Sequence, residues 1–117
     1  REQAKYIGEF FKKNEIKIDK VLSSEWCRCK ETAKIAFKNF TTNNFLNSFY
    51  SSKYAKNKNK QIKDLNDYIG KFESDKNLIL ITHYVLISEI LNYAPSSGEI
   101  VVSDKNFNMI GSIETHN

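Results

Sequence analysis

Apolar positions recur along this chain with two different periods, and the alternation between them outlines an α/β protein. Residues 1–14 carry Ala4, Ile7, Phe10 and Phe11 at helical spacing and close on Lys12-Lys13, which predicts an amphipathic helix with a basic end. Residues 16–22, with Ile16, Ile18, Val21 and Leu22, are short and β-branched and read as a strand entering the Ser23-Ser24 turn. A helical pattern returns over 25–40 (Ala33, Ile35, Ala36, Phe37, Phe40), with Ser24 positioned to cap it. Residues 41–58 are polar, yet Phe45, Leu46, Phe49, Tyr50 and Tyr54 are scattered through them. That is long for a plain connection and predicts a binding loop or lid that packs over something. Residues 59–72 show one apolar face (Ile62, Leu65, Tyr68, Ile69, Phe72), interrupted by Gly70. Residues 77–82 are nearly all apolar, as in a strand buried within a mostly parallel sheet, and His83 stands at their end. A helix over 85–93, stopped by Pro95, then precedes two partner strands over 98–102 and 107–114.

This order predicts a single α/β domain over 1–117, with a mostly parallel sheet sandwiched by helices. A length of 117 residues supports one core, and 40% hydrophobic residues is ordinary for a globular protein. The longest apolar run, Leu78-Ile79-Leu80-Ile81, is strand-sized, so no membrane span is expected. The chain opens on Arg1 with no signal-peptide pattern, and its first helix has no strand before it. Both features fit a piece whose first strand is missing.

Charge adds one discriminating feature. Of 18 Lys+Arg, only Arg1 and Arg28 are Arg, and Arg28 stands at a strand-to-helix turn. Its planar fork can grip a carboxylate or phosphate with two parallel hydrogen bonds, which Lys cannot do. The plain alternative is a surface ion pair with Glu25 or Glu31. The run Lys53, Lys56, Lys58 and Lys60 reads as a solvated loop or helix start rather than a nucleic-acid patch. Two cysteines, Cys27 and Cys29, are too few for a disulfide framework and leave either redox compartment open. C-x-C with no nearby His is a poor zinc signal, so both read as small buried hydrophobes and no metal or cofactor is expected.

In open α/β sheets, ligands bind at the carboxyl ends of the strands. Two strand ends here bear capable side chains: Ser24 and Arg28 after the first, Thr82 and His83 after the second. An Arg fork, an imidazole and helix N-termini at one edge suit a phosphoryl group. A serine-hydrolase reading of Ser24 with His83 is poorer, because no G-x-S-x-G elbow and no well-placed acid exist. The only other His, His116, lies in the tail and is given no role.

Four segments, in order and covering nearly the whole chain, resemble the histidine phosphatase superfamily (phosphoglycerate mutase-like). Arg1-Glu2-Gln3-Ala4 with Ile7-Gly8 resembles its G-x-x-Q-A-x-x-x-G segment. Ser24, Arg28, Thr32 and Ala33 match S-x-x-x-R-x-x-x-T-A. Ile81-Thr82-His83 resembles the strand bearing the second active-site His, and residues 97–102 the closing G-E strand. The resemblance implies metal-free phosphoryl transfer through a phosphohistidine, acting on a phosphorylated small molecule or phosphoprotein. It assigns phosphate binding to Arg28, Ser24 and His83, and charge stabilisation in transfer to His83. The family's nucleophile belongs to an R-H-G motif that is not in this sequence, so the fragment alone is expected to be inactive. Tyr84 stands where many members have Gly, and no proton donor is identifiable, which leans towards a phosphatase over a mutase. Tyr84, Tyr50 and Tyr54 are candidates for the substrate side. A non-catalytic phosphate-binding or phosphopeptide-binding module, or a pseudoenzyme, is the alternative.

Overall fold

The computed structural model of the chain describes residues 2–115. Arg1, named in the first resembling segment, and His116 lie outside the described residues. The elements are α1 (Glu2–Lys13), β1 (Ile18–Ser23), α2 (Cys27–Phe37), β2 (Thr41–Thr42), α3 (Ser52–Ala55), α4 (Lys58–Lys71), β3 (Asn77–Ile81), α5 (Tyr84–Leu91), β4 (Ile100–Ser103) and β5 (Met109–Ile113), with a 3-10 turn at Asn44–Leu46 between β2 and α3.

The α/β expectation holds in its coarse form: β2, β1 and β3 form a parallel sheet in that order. Leu22 lies opposite Thr41 on one side and Leu80 on the other, and Ser23 opposite Thr42 and Ile81. Successive strand residues point to opposite faces, so the two halves of the core divide on β1. Leu22 joins Phe45, Leu46, Phe49, Leu65, Ile69 and Leu86 in one cluster under α4 and α5, with Leu78 and Leu80 packed against it. Val21 is buried on the other face, the side covered by α2, whose Cys29 and Ala33 are buried. There α1 packs on α2, with Phe11 and Phe37 edge to face at 5.2 Å. Gly8 allows this approach, since a Cβ at that position would stand 2.5 Å from the Ala36 carbonyl oxygen.

Several expectations are corrected. The last two strands do pair, antiparallel, with Ile100 opposite Ile113, but they form a separate two-stranded sheet. Gly98 and Glu99 belong to the turn before β4: Gly98 has φ +79°, a left-handed conformation that glycine adopts without strain. Its carbonyl accepts from Thr115 Oγ1 (2.7 Å), and Gln3 Nε2 donates to Ser97 O (3.0 Å), which ties α1 to the foot of the hairpin. The strand expected to be buried, β3, is parallel but half-exposed from Leu78 to Ile81, because among the described residues it pairs on one edge only. The segment 41–58 is not a plain loop. It contains β2, the 3-10 turn and α3, and its Phe45, Leu46 and Phe49 are core. Finally, α5 ends at the left-handed Asn92, three residues ahead of Pro95.

Candidate functional site

The parallel register brings the carboxyl ends of β1 and β3 side by side, and Ser24 N–H donates to Ile81 O at 2.9 Å just beyond the last paired residues. The two strand-to-helix junctions are thus joined by a backbone hydrogen bond. On one side the chain runs through Ser24-Glu25-Trp26 into α2, which starts at Cys27 and not at 25. The cap residue is Trp26, and no side chain caps the helix. Ser24, expected in that role, accepts from Trp26 N–H at 3.1 Å instead. On the other side Thr82 donates to Leu46 O (2.6 Å), and His83 precedes the first turn of α5.

Ser24 is fully buried, and its hydroxyl is the hub of the site. Asn47 Nδ2 donates to Glu25 Oε1 (2.9 Å) while its Oδ1 accepts from Glu25 N–H (2.8 Å), which fixes the amide's orientation. The Ser24 hydroxyl therefore donates its one proton to Asn47 Oδ1, 3.0 Å away. Its oxygen is left to accept, from Trp26 N–H and from His83 Nε2 at 2.9 Å. The hydrogen-bond pattern thus assigns the His83 proton to Nε2 and leaves Nδ1 bare. The Cys29 thiol lies 3.7 Å from the same Nε2. Burial pushes this thiol above its ordinary range, against opposing contributions from Ser24 and Arg28, so Cys29 is an unreactive filler as expected. Cys27, expected to be buried as well, is exposed.

Arg28 occupies the first turn of α2 with its side chain exposed. The plain reading of a surface ion pair is not met: Glu25 is engaged by Asn47, and Arg28 forms no ion pair among the described residues. Its charge instead acts on the site. The pKa of His83 is lowered from 6.5, first by burial and then by Arg28. The imidazole is therefore neutral at pH 7. The unfolded chain takes up the proton first, so this group's stabilisation is full above pH 6.5 and is lost as pH falls towards the lowered folded value. An NMR titration of the His83 ring is expected to give a midpoint below 6.5. Arg28→Ala should move the midpoint upward; an unmoved midpoint would show that the guanidinium does not act on the ring.

The three tyrosines expected on the substrate side separate. Tyr54 packs edge to face on Trp26 (centroids 5.5 Å), and Trp26 packs likewise on His83 (4.8 Å), so Tyr54 is linked to the site through Trp26. Tyr50 and Tyr84 pack on each other at 6.0 Å and line a different cleft, with Phe49, Lys58 and Glu89. Of the lysine run, Lys58 pairs with Glu89 and Lys60 with Asp64. Among the described residues, no three His, Cys, Asp or Glu side chains are arranged to hold a metal ion, and no helix is long and apolar enough to cross a membrane.

Two contributors escaped sequence reasoning. Asn47 orients Ser24 from within an apparently featureless polar segment, and nothing in its sequence context marks it. Trp26 had an available signal, since it is the only Trp of the chain and lies two residues from Arg28. No protein-family model matches the sequence, and none of the curated proteins matches it either.

Proposed function

We propose that this chain forms one wall of a phosphate pocket of the histidine phosphatase type, in a protein that hydrolyses phosphate monoesters through a phosphohistidine. The observation that carries the reading is the convergence of an uncommitted Arg28 fork and a neutral His83 at the carboxyl ends of two adjacent parallel strands. Arg28 would grip two phosphoryl oxygens. His83 would turn its Nε2 proton from Ser24 to a third oxygen and offset the charge that gathers there in transfer. The R-H-G His would attack phosphorus as the ester P–O bond breaks, and the departing alkoxide would take a proton from solvent water. Water would then cleave the phosphohistidine, releasing inorganic phosphate and regenerating the enzyme.

The finer fold belongs to the same proposal. In a phosphoglycerate mutase-like sheet, an R-H-G strand would end beside Arg28 and His83. Both edges of β1 are occupied, and β2 is two exposed threonines. The second edge of β3, unpaired among the described residues, is the remaining position, and it would place the attacking His across from His83.

Binding of inorganic phosphate, followed by Trp26 fluorescence, tests the reading. Arg28→Lys keeps the charge and removes the fork, and is expected to weaken binding roughly tenfold, the equivalent of one charge-assisted hydrogen bond. Equal affinity would show that fork geometry does not matter and would overturn the role of Arg28. Binding without turnover, once an R-H-G strand is present, would identify a non-catalytic phosphate-binding module.

A further inference from the structure

A cleft of about 260 Å³ is lined by Trp26, which packs on His83, and the phosphate reading makes no use of it. Its wall includes Trp26, Tyr54, Asn44, Asn57 and Gln61, and Asn47 belongs both to this wall and to the Ser24 network. Gln61 is 8% exposed, and its Nε2 donates to Asn47 O (2.7 Å) and towards Phe45 O (3.4 Å). No fully buried side-chain polar atom among the described residues lacks a partner. Gln61 lines the cleft, and among the described residues no donor reaches its carbonyl oxygen, which is therefore not fully buried. Asn57 stands at the N-cap of α4, yet its amide caps nothing, and Asn44 is exposed beside it. The cleft thus presents amide donors and acceptors together, next to two aromatic faces. Its charged members, Lys60 and Asp64, neutralise one another at 2.7 Å, so the lining favours no ionic ligand.

We infer that this cleft holds the alcohol portion of the phosphate ester, and that this portion is a neutral ring bearing several hydroxyls, of monosaccharide size. The inference rests on the phosphate reading and deepens it. Each hydroxyl both donates and accepts, which suits a wall of mixed amides. The volume is small by the standard of ligand pockets and admits a single ring. The rings of Trp26 and Tyr54 meet at 63°, so they cannot sandwich a base between parallel faces. A sugar needs only one face. Trp26 lines the cleft and packs on His83, and Asn47 lines the cleft and accepts from Ser24, so the cleft and the phosphate site share two residues.

Trp26, as the only Trp, reports on both subsites by its fluorescence. Titration with inorganic phosphate, a hexose 6-phosphate, phenyl phosphate and a nucleoside 5′-monophosphate separates the possibilities. The hexose 6-phosphate is expected to bind at least roughly tenfold more tightly than inorganic phosphate, as for two or so neutral hydrogen bonds. Asn44→Ala combined with Asn57→Ala, both exposed positions, should abolish that advantage and leave the affinity for inorganic phosphate unchanged. If the hexose 6-phosphate gains nothing over inorganic phosphate, the cleft inference falls while the phosphate reading stands. Equal or greater gains for phenyl phosphate or the nucleotide would also overturn it, in favour of ring stacking. A protein that binds neither inorganic phosphate nor any ester defeats the phosphate reading, and the subsite with it.

Discussion

Replacing His83 by Ala is expected to lower turnover of a phosphate monoester by roughly 100- to 1,000-fold in a protein that joins this chain to an R-H-G strand. The 117-residue chain by itself, which contains no R-H-G motif, is expected to show no turnover. The size of the effect follows from what His83 offers. It is a neutral imidazole whose protonated nitrogen already sits 2.9 Å from a buried hydroxyl, beside the Arg28 charge. A hydrogen bond formed with charge that grows in transfer is worth more in such a partly dry setting than in water. Removing a donor of that kind should depress kcat and kcat/KM together, because the interaction strengthens as the P–O bond breaks. Steady-state kinetics on a generic ester, with the acid-labile phosphohistidine trapped by alkaline quenching, checks both parts. Unchanged kcat in the variant would remove His83 from the chemistry. A raised KM with unchanged kcat would reduce it to a ground-state contact.

The sequence made the strand-to-helix junctions legible because they obey strong local rules. A β-branched or apolar run followed by a polar turn and a helical period identifies the carboxyl end of a strand, and so Ser24, Arg28, Thr82 and His83 could be read without coordinates. Long-range pairing was less legible. Nothing in Thr41-Thr42 announces a strand; two residues carry no period, and β2 exists because Leu22 and Ser23 offer it a parallel edge. The apolar run 78–81 predicts a buried strand, whereas periodicity cannot tell a central strand from an edge strand. Orientation of the Ser24 hydroxyl is illegible for the same reason. Asn47 reaches Ser24 and Glu25 across 23 and 22 residues, and only the folded chain makes them neighbours. Gln3 and Gly8, read from the resemblance alone, and Gly98, read also as the start of a strand, are tied to packing: Gly8 to the approach of α1 and α2, Gln3 and Gly98 to the foot of the β4–β5 hairpin.

Leu46→Ala is expected to cost about 2–5 kcal/mol of folding free energy, a large share of the roughly 5–15 kcal/mol that holds a typical domain together. Leu46 is completely buried among Leu22, Phe45, Phe49, Leu65, Ile69 and Leu86, between the sheet and α4. Truncation leaves a cavity that neighbours anchored in helices and strands cannot collapse to fill. Denaturant unfolding measures the loss, and Leu46→Met, which keeps the volume, should cost less than about 1.5 kcal/mol. A cost for Ala no larger than for Met would show that the 3-10 turn is not part of the core. The same residue connects stability to the site. Its carbonyl accepts from Thr82 Oγ1 (2.6 Å), and the next residue, Asn47, orients Ser24. If the turn loosens, Ser24 loses the acceptor that directs its proton away from His83, and water gains access to the ring. The His83 midpoint should then rise towards 6.5, because burial is the larger of the two causes that lower it. A variant that stays folded, loses stability and leaves the His83 midpoint unmoved would show that the core turn and the Ser24–His83 site are energetically separate.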